Sequence, residues 1–392
     1  TLRYMARILF VMNHFPGFGG VESVTANLVG VLGKDHDIYI LARERKCDSK
    51  IPAGLKGLVY LPGTGLENDI RKYNETVFIY HITHTINQGM YPELTGIIFN
   101  TARDRSVKVI SVLHAMPGYV KDEYWYLPHV AESGIFKKLK RRLLYLAGLN
   151  KGYNRHVRSY VESYLACVTE GDKVVMLCDD YIGEFCSIYD VPDSYRGKMA
   201  AIPNPLPSAY SESDIPDFAA KKNVILFAGR LSAEKNIGMI LDAWKLLHGR
   251  LPEWELKIVG DGPMRDILER KATGMNLSNV IFTGYSDKPE KYYSEAKMLL
   301  LVSMYEGFPM CLIEAQCFGA VPVAYPASAG VASIIRDGGG VPVRKRNAES
   351  LAEEILKLAA DPHMLEELCR SVYRKSREYD ITVIAEKWNS LL

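Results

Sequence analysis

MLLLVSMYEGFPMCLIEAQCFGAVPVAY, residues Met298–Tyr325, is the stretch whose reading decides the fold. Met298–Val302 is an uninterrupted apolar run, short enough for a strand covered on both faces. A tight loop follows, then a helix that the pattern starts at Pro309 and stops at Gly319, then a second buried strand, Val321–Ala324. Proline suits the first helical position, where its missing N–H costs nothing. Glycine suits the position just past the end, where the chain turns left-handed. Strand, loop, helix and strand in this order form a parallel α/β unit. The unbonded amides of Met310, Cys311 and Leu312 then lie at the carboxyl end of a parallel strand, where such sheets bind anions.

Two glutamates frame the helix, Glu306 in the loop before it and Glu314 within it, with seven residues between them. The positions around Glu314 are almost all apolar, which predicts a buried helix. An ionised carboxylate there is costly unless something polar meets it, and a ligand bearing hydroxyl groups would do so. The plainer alternative makes Glu306 a partner of the helix dipole and Glu314 an edge residue. The spacing in this setting favours the ligand-binding reading.

At 392 residues the chain is too long for one ordinary core, and two domains are expected. The net charge of +2 argues against wholesale binding of polyanions such as nucleic acid. The seven cysteines are scattered, with no Cys-x-x-Cys pair, which argues against a disulfide frame or a zinc site and fits a cytoplasmic location. No apolar run approaches the length of a membrane span, and the N-terminus does not read as a signal peptide.

From the N-terminus, Arg7–Met12 reads as a strand, NHFPGFGGVE as a glycine loop, Ser23–Leu32 as a helix and Ile38–Ala42 as the next strand, a βαβ opening. Further strands are expected at Gly57–Leu61, Val77–His81, Val107–Leu113, Ala166–Thr169 and Met199–Ile202. Helices are expected at Tyr91–Asn100, Ile135–Tyr164 and Asp172–Tyr181. PNPLPSAYSESDIP, residues 203–216, reads as a linker because prolines and serines replace the apolar rhythm. A second rhythm follows, with strands at Asn223–Ala228, Glu255–Val259, Asn279–Thr283, Met298–Val302 and Val321–Ala324, and helices at Asn236–Leu247, Pro263–Lys271 and Pro289–Ala296. The expected organisation is a Rossmann-like domain over 1–203, a linker over 204–216, and a second Rossmann-like domain over 217–380. A last helix, 381–392, could return to the first domain. Both domains are doubly wound α/β sheets expected to face a central cleft.

The loop Gly229–Lys235 follows the first strand of the second half, so Arg230 and Lys235 sit at that sheet's carboxyl edge, within reach of the predicted anion site. Arginine offers a planar fork for phosphate oxygens and lysine a point charge. Taken singly, either would read as a solvated loop charge. Gly17, Gly19 and Gly20 let a ligand approach the first glycine loop, although the loop is not a true G-x-G-x-x-G. Glu22 reads equally as a helix-start acid or an acceptor-side group. His114 ends a strand at the carboxyl edge and is a functional candidate; His81 and His84 are weaker ones. Asp35-His36-Asp37 looks like a metal motif but lies at the opposite pole of the sheet, so it reads as a surface turn, and no metal site is expected. FKKLKRRLLYL, residues 136–146, sets Lys137, Lys138, Lys140, Arg141 and Arg142 among apolar positions. It reads either as a basic amphipathic surface for anionic headgroups or as an ordinary solvated helix face.

These residues together resemble the family 4 retaining nucleotide-sugar glycosyltransferases, which have the GT-B fold. The marks are EGFPMCLIE at Glu306–Glu314, GRLSAEKN at Gly229–Asn236, VGDGP at Val259–Pro263 and Thr283–Tyr285. The first half adds GGVE at Gly19–Glu22, His114 at a strand end, and Ile202-Pro203-Asn204. Asn204 is followed by Pro205 where the family usually has glycine, and Ala332 and Ser333 fall where a glutamate is common. The resemblance implies that Glu314 binds ribose hydroxyls, Arg230, Lys235 and the Gly229 loop hold the diphosphate, and Tyr285 lies near the base. Glu306 with Gly307, Phe308 and Pro309 would address the sugar, and the amides of Met310, Cys311 and Leu312 would meet its phosphates. Gly19 and Gly20 would line the diphosphate and acceptor side, and His114 would approach the sugar. Glu306, Arg230, Lys235 and His114 are the residues expected to carry the reaction.

The resulting expectation is a retaining, metal-independent hexosyl or N-acetylhexosaminyl transferase without a cofactor. It would use a nucleotide sugar, with UDP favoured over a GDP-linked mannosyl donor, and a saccharide or lipid-linked acceptor in surface glycan synthesis. The location would be cytoplasmic, with peripheral contact at the membrane's cytoplasmic face. A nicotinamide-dependent oxidoreductase is disfavoured because the strand Ile38–Ala42 is followed by Arg43 rather than an acid. A non-catalytic sugar-nucleotide-binding protein is disfavoured because Arg230, Lys235 and Glu306 are all present.

Overall fold

The computed structural model describes residues 5–17, 19–48, 51–99, 106–121, 151–207, 210 and 217–392. The chain divides into two compact units, Thr1–Pro207 together with Ile381–Leu392, and Ser208–Asp380.

The first unit is a seven-stranded parallel sheet. Its strands are β1 (Arg7–His14), β2 (Asp37–Glu44), β3 (Leu55–Tyr60), β4 (His84–Gln88), β5 (Lys108–Val112), β6 (Lys173–Met176) and β7 (Met199–Ala201), in the order β3-β2-β1-β4-β5-β6-β7. The order reverses between β1 and β4, so the loops after those two strands flank the crevice in which doubly wound sheets take ligands. Helix α1 (Gly20–Leu32) buries Val24, Leu28, Val29 and Leu32. The C-terminal helix Ile381–Asn389 packs against α1.

The expected strand at Val77–His81 is instead the end of helix α2 (Leu66–Ile79), and Phe78 and Ile79 are exposed there. The strand that crosses the core is β4, HTINQ, whose five residues are all buried although four are polar. Its side chains are met inside: Tyr73 and Thr85 share a hydroxyl hydrogen bond of 3.0 Å, and Asn87 Nδ2 donates to Thr95 Oγ1 at 3.2 Å. A hydrophobicity pattern does not register a buried strand satisfied in this way. The same shift recurs further on. Residues 166–169, expected as a strand, complete the helix Lys151–Glu170, and the strand is β6. The helix expected at Asp172–Tyr181 begins at Asp179 instead. The basic segment 136–146 lies outside the described residues, as does most of the linker.

The second unit follows its predicted strands closely. Its six parallel strands are β8 (Val224–Ala228), β9 (Glu255–Val259), β10 (Val280–Gly284), β11 (Met298–Leu301), β12 (Val321–Ala324) and β13 (Val341–Pro342), in the order β10-β9-β8-β11-β12-β13. Here the reversal lies between β8 and β11. The core gathers Trp244, Ile240, Leu256, Ile258, Met298, Leu300, Val323 and Leu351. The first unit also holds helices α3 (Pro92–Phe99), α4 (Lys151–Glu170) and α5 (Asp179–Tyr189), and the second unit α6 (Ile237–Leu247), α7 (Arg265–Gly274), α8 (Glu290–Glu295) and α9 (Met310–Cys317), with further helices at Ala329–Ile335, Ala348–Ala360 and Pro362–Ser376.

Candidate active site

In the second unit the loops after β8 and β11 carry most of the candidate residues, and Tyr285 follows β10. Three loops at this edge are bonded into one rim. Gly229 N–H donates to Val259 O at 2.9 Å, Leu231 N–H to Asp261 O at 2.9 Å, and Gly260 N–H to Gly284 O at 2.8 Å. Gly260 has φ +136°, and a Cβ there would stand 1.8 Å from the carbonyl oxygen of Gly229. The motif glycine is thus required for one loop to lie against the next.

Lys235 ends a single 3-10 turn, Ala233–Lys235. Met304 N–H donates to Glu234 O at 2.7 Å, which ties this turn to the loop after β11. Lys235 Nζ then meets Glu306 Oε1 at 2.7 Å, with side-chain exposures of only 23% and 11%. Burial opposes the charge on Lys235, but Glu306 outweighs it and raises the ammonium above the ordinary lysine value. Arg230 is exposed and makes no side-chain ion pair or hydrogen bond among the described residues.

Pro309 occupies the cap position and the helix α9 runs Met310–Cys317, one residue later than the pattern placed it. Its far end closes as a Schellman turn: Gly319, φ +65°, donates to Gln316 O at 2.9 Å and Ala320 N–H to Ala315 O at 2.9 Å. Of the three amides expected free at the start, that of Leu312 donates to Pro309 O at 3.2 Å, a tightened first turn. Burial pushes the Cys311 thiol up to about 12, so it stays protonated. Phe308 is buried, edge-on to Tyr379 with centroids 5.7 Å apart, which fixes the backbone between Glu306 and the helix.

Glu314 does not wait for a ligand to supply its only polar contact. Tyr293 Oη donates to Glu314 Oε2 at 2.8 Å. Burial raises the carboxyl above the usual glutamate value, and the Tyr293 hydrogen bond works against that rise. Tyr285 follows Gly284 at the end of β10 and is 75% exposed, a free ring at the sheet's carboxyl edge.

In the first unit, Gly19 caps α1 and Gly20 is its first residue. The space over Gly17 and Gly19 is taken by the protein itself: a Cβ on Gly19 would stand 2.0 Å from Glu22 Oε2. Only Gly20 leaves the open approach expected of this loop. His114 follows β5, and its Nε2 is hydrogen-bonded to Gln88 Oε1. Burial lowers the imidazole to about 4 despite a hydrogen bond with Asn204, so it is neutral near pH 7. His84 begins β4 rather than ending a strand, and His81 follows α2, so both lie at the amino pole, away from the ligand edge. His36 is not a surface-turn residue. It is buried, accepts from Ala6 N–H at 3.1 Å and bonds Asn389 Oδ1 at 3.0 Å, fastening the C-terminal helix. Among the described residues no group of three His, Cys, Asp or Glu side chains is placed to hold a metal ion. Lys137, Lys138, Lys140, Arg141 and Arg142 lie outside those residues.

Two members of these constellations were not anticipated: Tyr293, which engages Glu314, and Gln88, which engages His114. The only signal for Gln88 is a polar residue closing a buried strand, and Tyr293 carries none beyond an aromatic in a short helix.

Residues 211–379 match the family model described as glycosyl transferases group 1. Over this segment the chain is similar to the group 1 glycosyltransferases. The transferase domain's relatives include the amylovoran biosynthesis glycosyltransferase AmsD of Erwinia amylovora, 34% identical over 176 residues, covering 45% of this chain and 49% of that protein. A saccharide-PP-undecaprenol α-1,4-N-acetyl-D-galactosaminyltransferase of Campylobacter jejuni is 31% identical over 174 residues, covering 44% and 48%. The chain thus spans about half the length of these curated relatives. Among solved structures, HepE of Anabaena in complex with UDP aligns at TM-score 0.73 with 15% identity, covering 98% of this chain and 99% of that one. Sucrose-phosphate synthase of Thermosynechococcus elongatus aligns at 0.74 with 17% identity, covering 98% of each. At such identities the likeness is one of fold, and the chain has the GT-B fold.

Proposed function

We propose that this protein is a retaining glycosyltransferase that moves a hexosyl or N-acetylhexosaminyl group from a UDP-sugar to a saccharide or lipid-linked acceptor in surface glycan synthesis. The observation that carries the reading is the Lys235–Glu306 pair set beside the start of α9. A buried cation, a free arginine at Arg230 and helix-start amides suit a diphosphate on one side, and a carboxylate suits sugar hydroxyls on the other. Glu314 is assigned the ribose hydroxyls and Tyr285 the base. Gly307–Pro309 and His114 are assigned the sugar, and Gly20 and Glu22 the acceptor side. UDP is favoured because HepE, of the same fold, was solved with it; a GDP-sugar is the alternative within the class.

The hard step is loss of a nucleoside diphosphate from the anomeric carbon. In the proposed route the bond from that carbon to the β-phosphate oxygen breaks, and the acceptor oxygen bonds the carbon on the same face. The acceptor's proton passes to the departing phosphate oxygen. Lys235, Arg230 and the amide of Met310 stabilise the leaving charge, and neither a metal nor a cofactor is assigned a part. Among the described residues no helix is long and apolar enough to cross a membrane. Contact at a membrane surface rests on the basic sequence 136–146 and on the lipid-linked saccharide in the name of the Campylobacter relative.

Melting the protein with UDP-, GDP- and ADP-sugars tests the donor: a ligand at 100 times its Kd stabilises by about 2.7 kcal/mol, and UDP-sugars should raise Tm most. The anomeric configuration of the product tests the route, and inversion would refute it.

A further inference from the structure

Glu314 is not held by its own helix alone. It accepts from Tyr293, a residue of the short helix α8 (Glu290–Glu295) that no sequence motif marks. Tyr293 is itself held at three points. Its ring is 2% exposed and lies near parallel to Phe318, with centroids 6.2 Å apart and planes at 18°. Its hydroxyl is engaged by Glu314. Its backbone is held by a buried lysine: Lys221 Nζ donates to the carbonyls of Tyr293, Ser294 and Ala296 at 3.2, 3.0 and 2.8 Å. An ammonium placed inside the protein to collect three carbonyls fixes the last turn of α8, where Tyr293 sits. Tyr210 borders the same assembly, edge-on to Phe318 at 4.9 Å, its hydroxyl donating to Glu290 Oε2 at 3.3 Å.

We propose that Tyr293 is a positioning residue for nucleotide recognition: by donating to Glu314 Oε2 it fixes the carboxylate so that the other oxygen is presented to the paired hydroxyls of a ribose. This rests on the assignment of Glu314 to the ribose. A carboxylate has two oxygens and about four acceptor sites, and a vicinal diol needs two acceptors at a fixed spacing. A glutamate with free rotamers would lose entropy on meeting the diol, whereas one pinned by a rigid phenol has lost it already. Burial raises the carboxyl above the usual glutamate value, and the hydroxyl works against that rise by favouring the charged form. Removing it therefore damages diol recognition without removing any group that touches the nucleotide.

The test is binding of UDP and of 2′,3′-dideoxy-UDP to the full chain by calorimetry, for the wild type, Tyr293→Phe, Glu314→Gln and the double variant. Phenylalanine keeps the ring against Phe318, and melting and far-UV circular dichroism verify that each variant is folded. The wild type should prefer UDP by about tenfold or more, the usual worth of hydrogen bonds to a charged group. Tyr293→Phe should bind UDP about tenfold more weakly, bind the dideoxy analogue as the wild type does, and so lose most of the preference. Because Tyr293 acts through Glu314, the double variant should bind UDP no more weakly than Glu314→Gln alone. A Tyr293→Phe protein that keeps the wild-type preference overturns the positioning role while the ribose assignment stands. Losses that simply multiply in the double variant also overturn it. A wild type that binds both nucleotides equally overturns the ribose assignment, and the positioning role with it. If Tyr293→Phe does not fold, Tyr293→His, which retains a ring and an N–H donor, replaces it, and a preference lost despite a retained fold and donor points to the same geometric requirement. A preference wholly retained by Tyr293→His, where a crystal structure of that variant shows the imidazole making no hydrogen bond to Glu314, overturns it.

Discussion

Replacing Lys235 by methionine keeps the stem's volume and removes only the charge. The ammonium stands 2.7 Å from Glu306 Oε1, and the two side chains are 23% and 11% exposed. At an effective dielectric of about 20 the gross attraction at that distance is about 6 kcal/mol. Desolvation of two mostly buried ions takes back several kcal/mol. A net coupling of about 1–3 kcal/mol is expected, between the small value of exposed pairs and the large cost of orphaning a fully buried charge. For a unit of this size each kcal/mol moves Tm by about 2–4 °C. The assay is a double-mutant cycle of nucleotide-free protein, with Lys235→Met, Glu306→Gln and both, read by denaturant or thermal unfolding of the second unit. From the lysine's side the sign in pH is fixed. Its folded pKa is raised above the usual 10.5, so the stabilisation is fully present below pH 10.5 and is lost as pH rises through the folded value. A coupling below about 0.5 kcal/mol would refute the view that the pair is preorganised before ligand arrives.

Gly260→Ala should destabilise the second unit by well over 1 kcal/mol, because the residue combines φ +136° with a Cβ 1.8 Å from a carbonyl oxygen; a urea midpoint equal to wild type would contradict the packed-loop geometry. His114 and His84 are both lowered to about 4, in each case chiefly by burial. The unfolded chain therefore binds more protons than the folded one between about pH 4 and the ordinary histidine value of 6.5, and the stability of the first unit should fall as pH drops through that window. Replacing His114 by glutamine should flatten the fall, and urea titrations at several pH values would show it.

Much of the second unit was legible in the order of its residues. Its strands are short apolar runs between glycine turns, and its helices carry clear apolar faces, so period and punctuation agree. The first unit was harder for a physical reason. Its central strand β4 is polar, and its helix α2 ends in the exposed pair Phe78 and Ile79, so apolar character and burial part company there. No window of sequence reports that Thr85 will find Tyr73 or that Asn87 will find Thr95, because those partners arrive from other elements.

The candidate site divides along the same line. In the second unit the sequence by itself determined which loops end at the ligand edge, since strands alternating with helices put every strand-to-helix loop at the carboxyl ends, and it determined which residues in them carry charge; in the first unit it misplaced His81 and His84. Only the tertiary structure decided the pairings: that Lys235 rests on Glu306, that Glu22 fills the space over Gly19, and that His36 fastens the last helix. It alone decided that Glu314 is met by Tyr293, because a buried carboxylate accepts whichever donor packing brings within 3 Å, and packing joins residues that the chain keeps far apart.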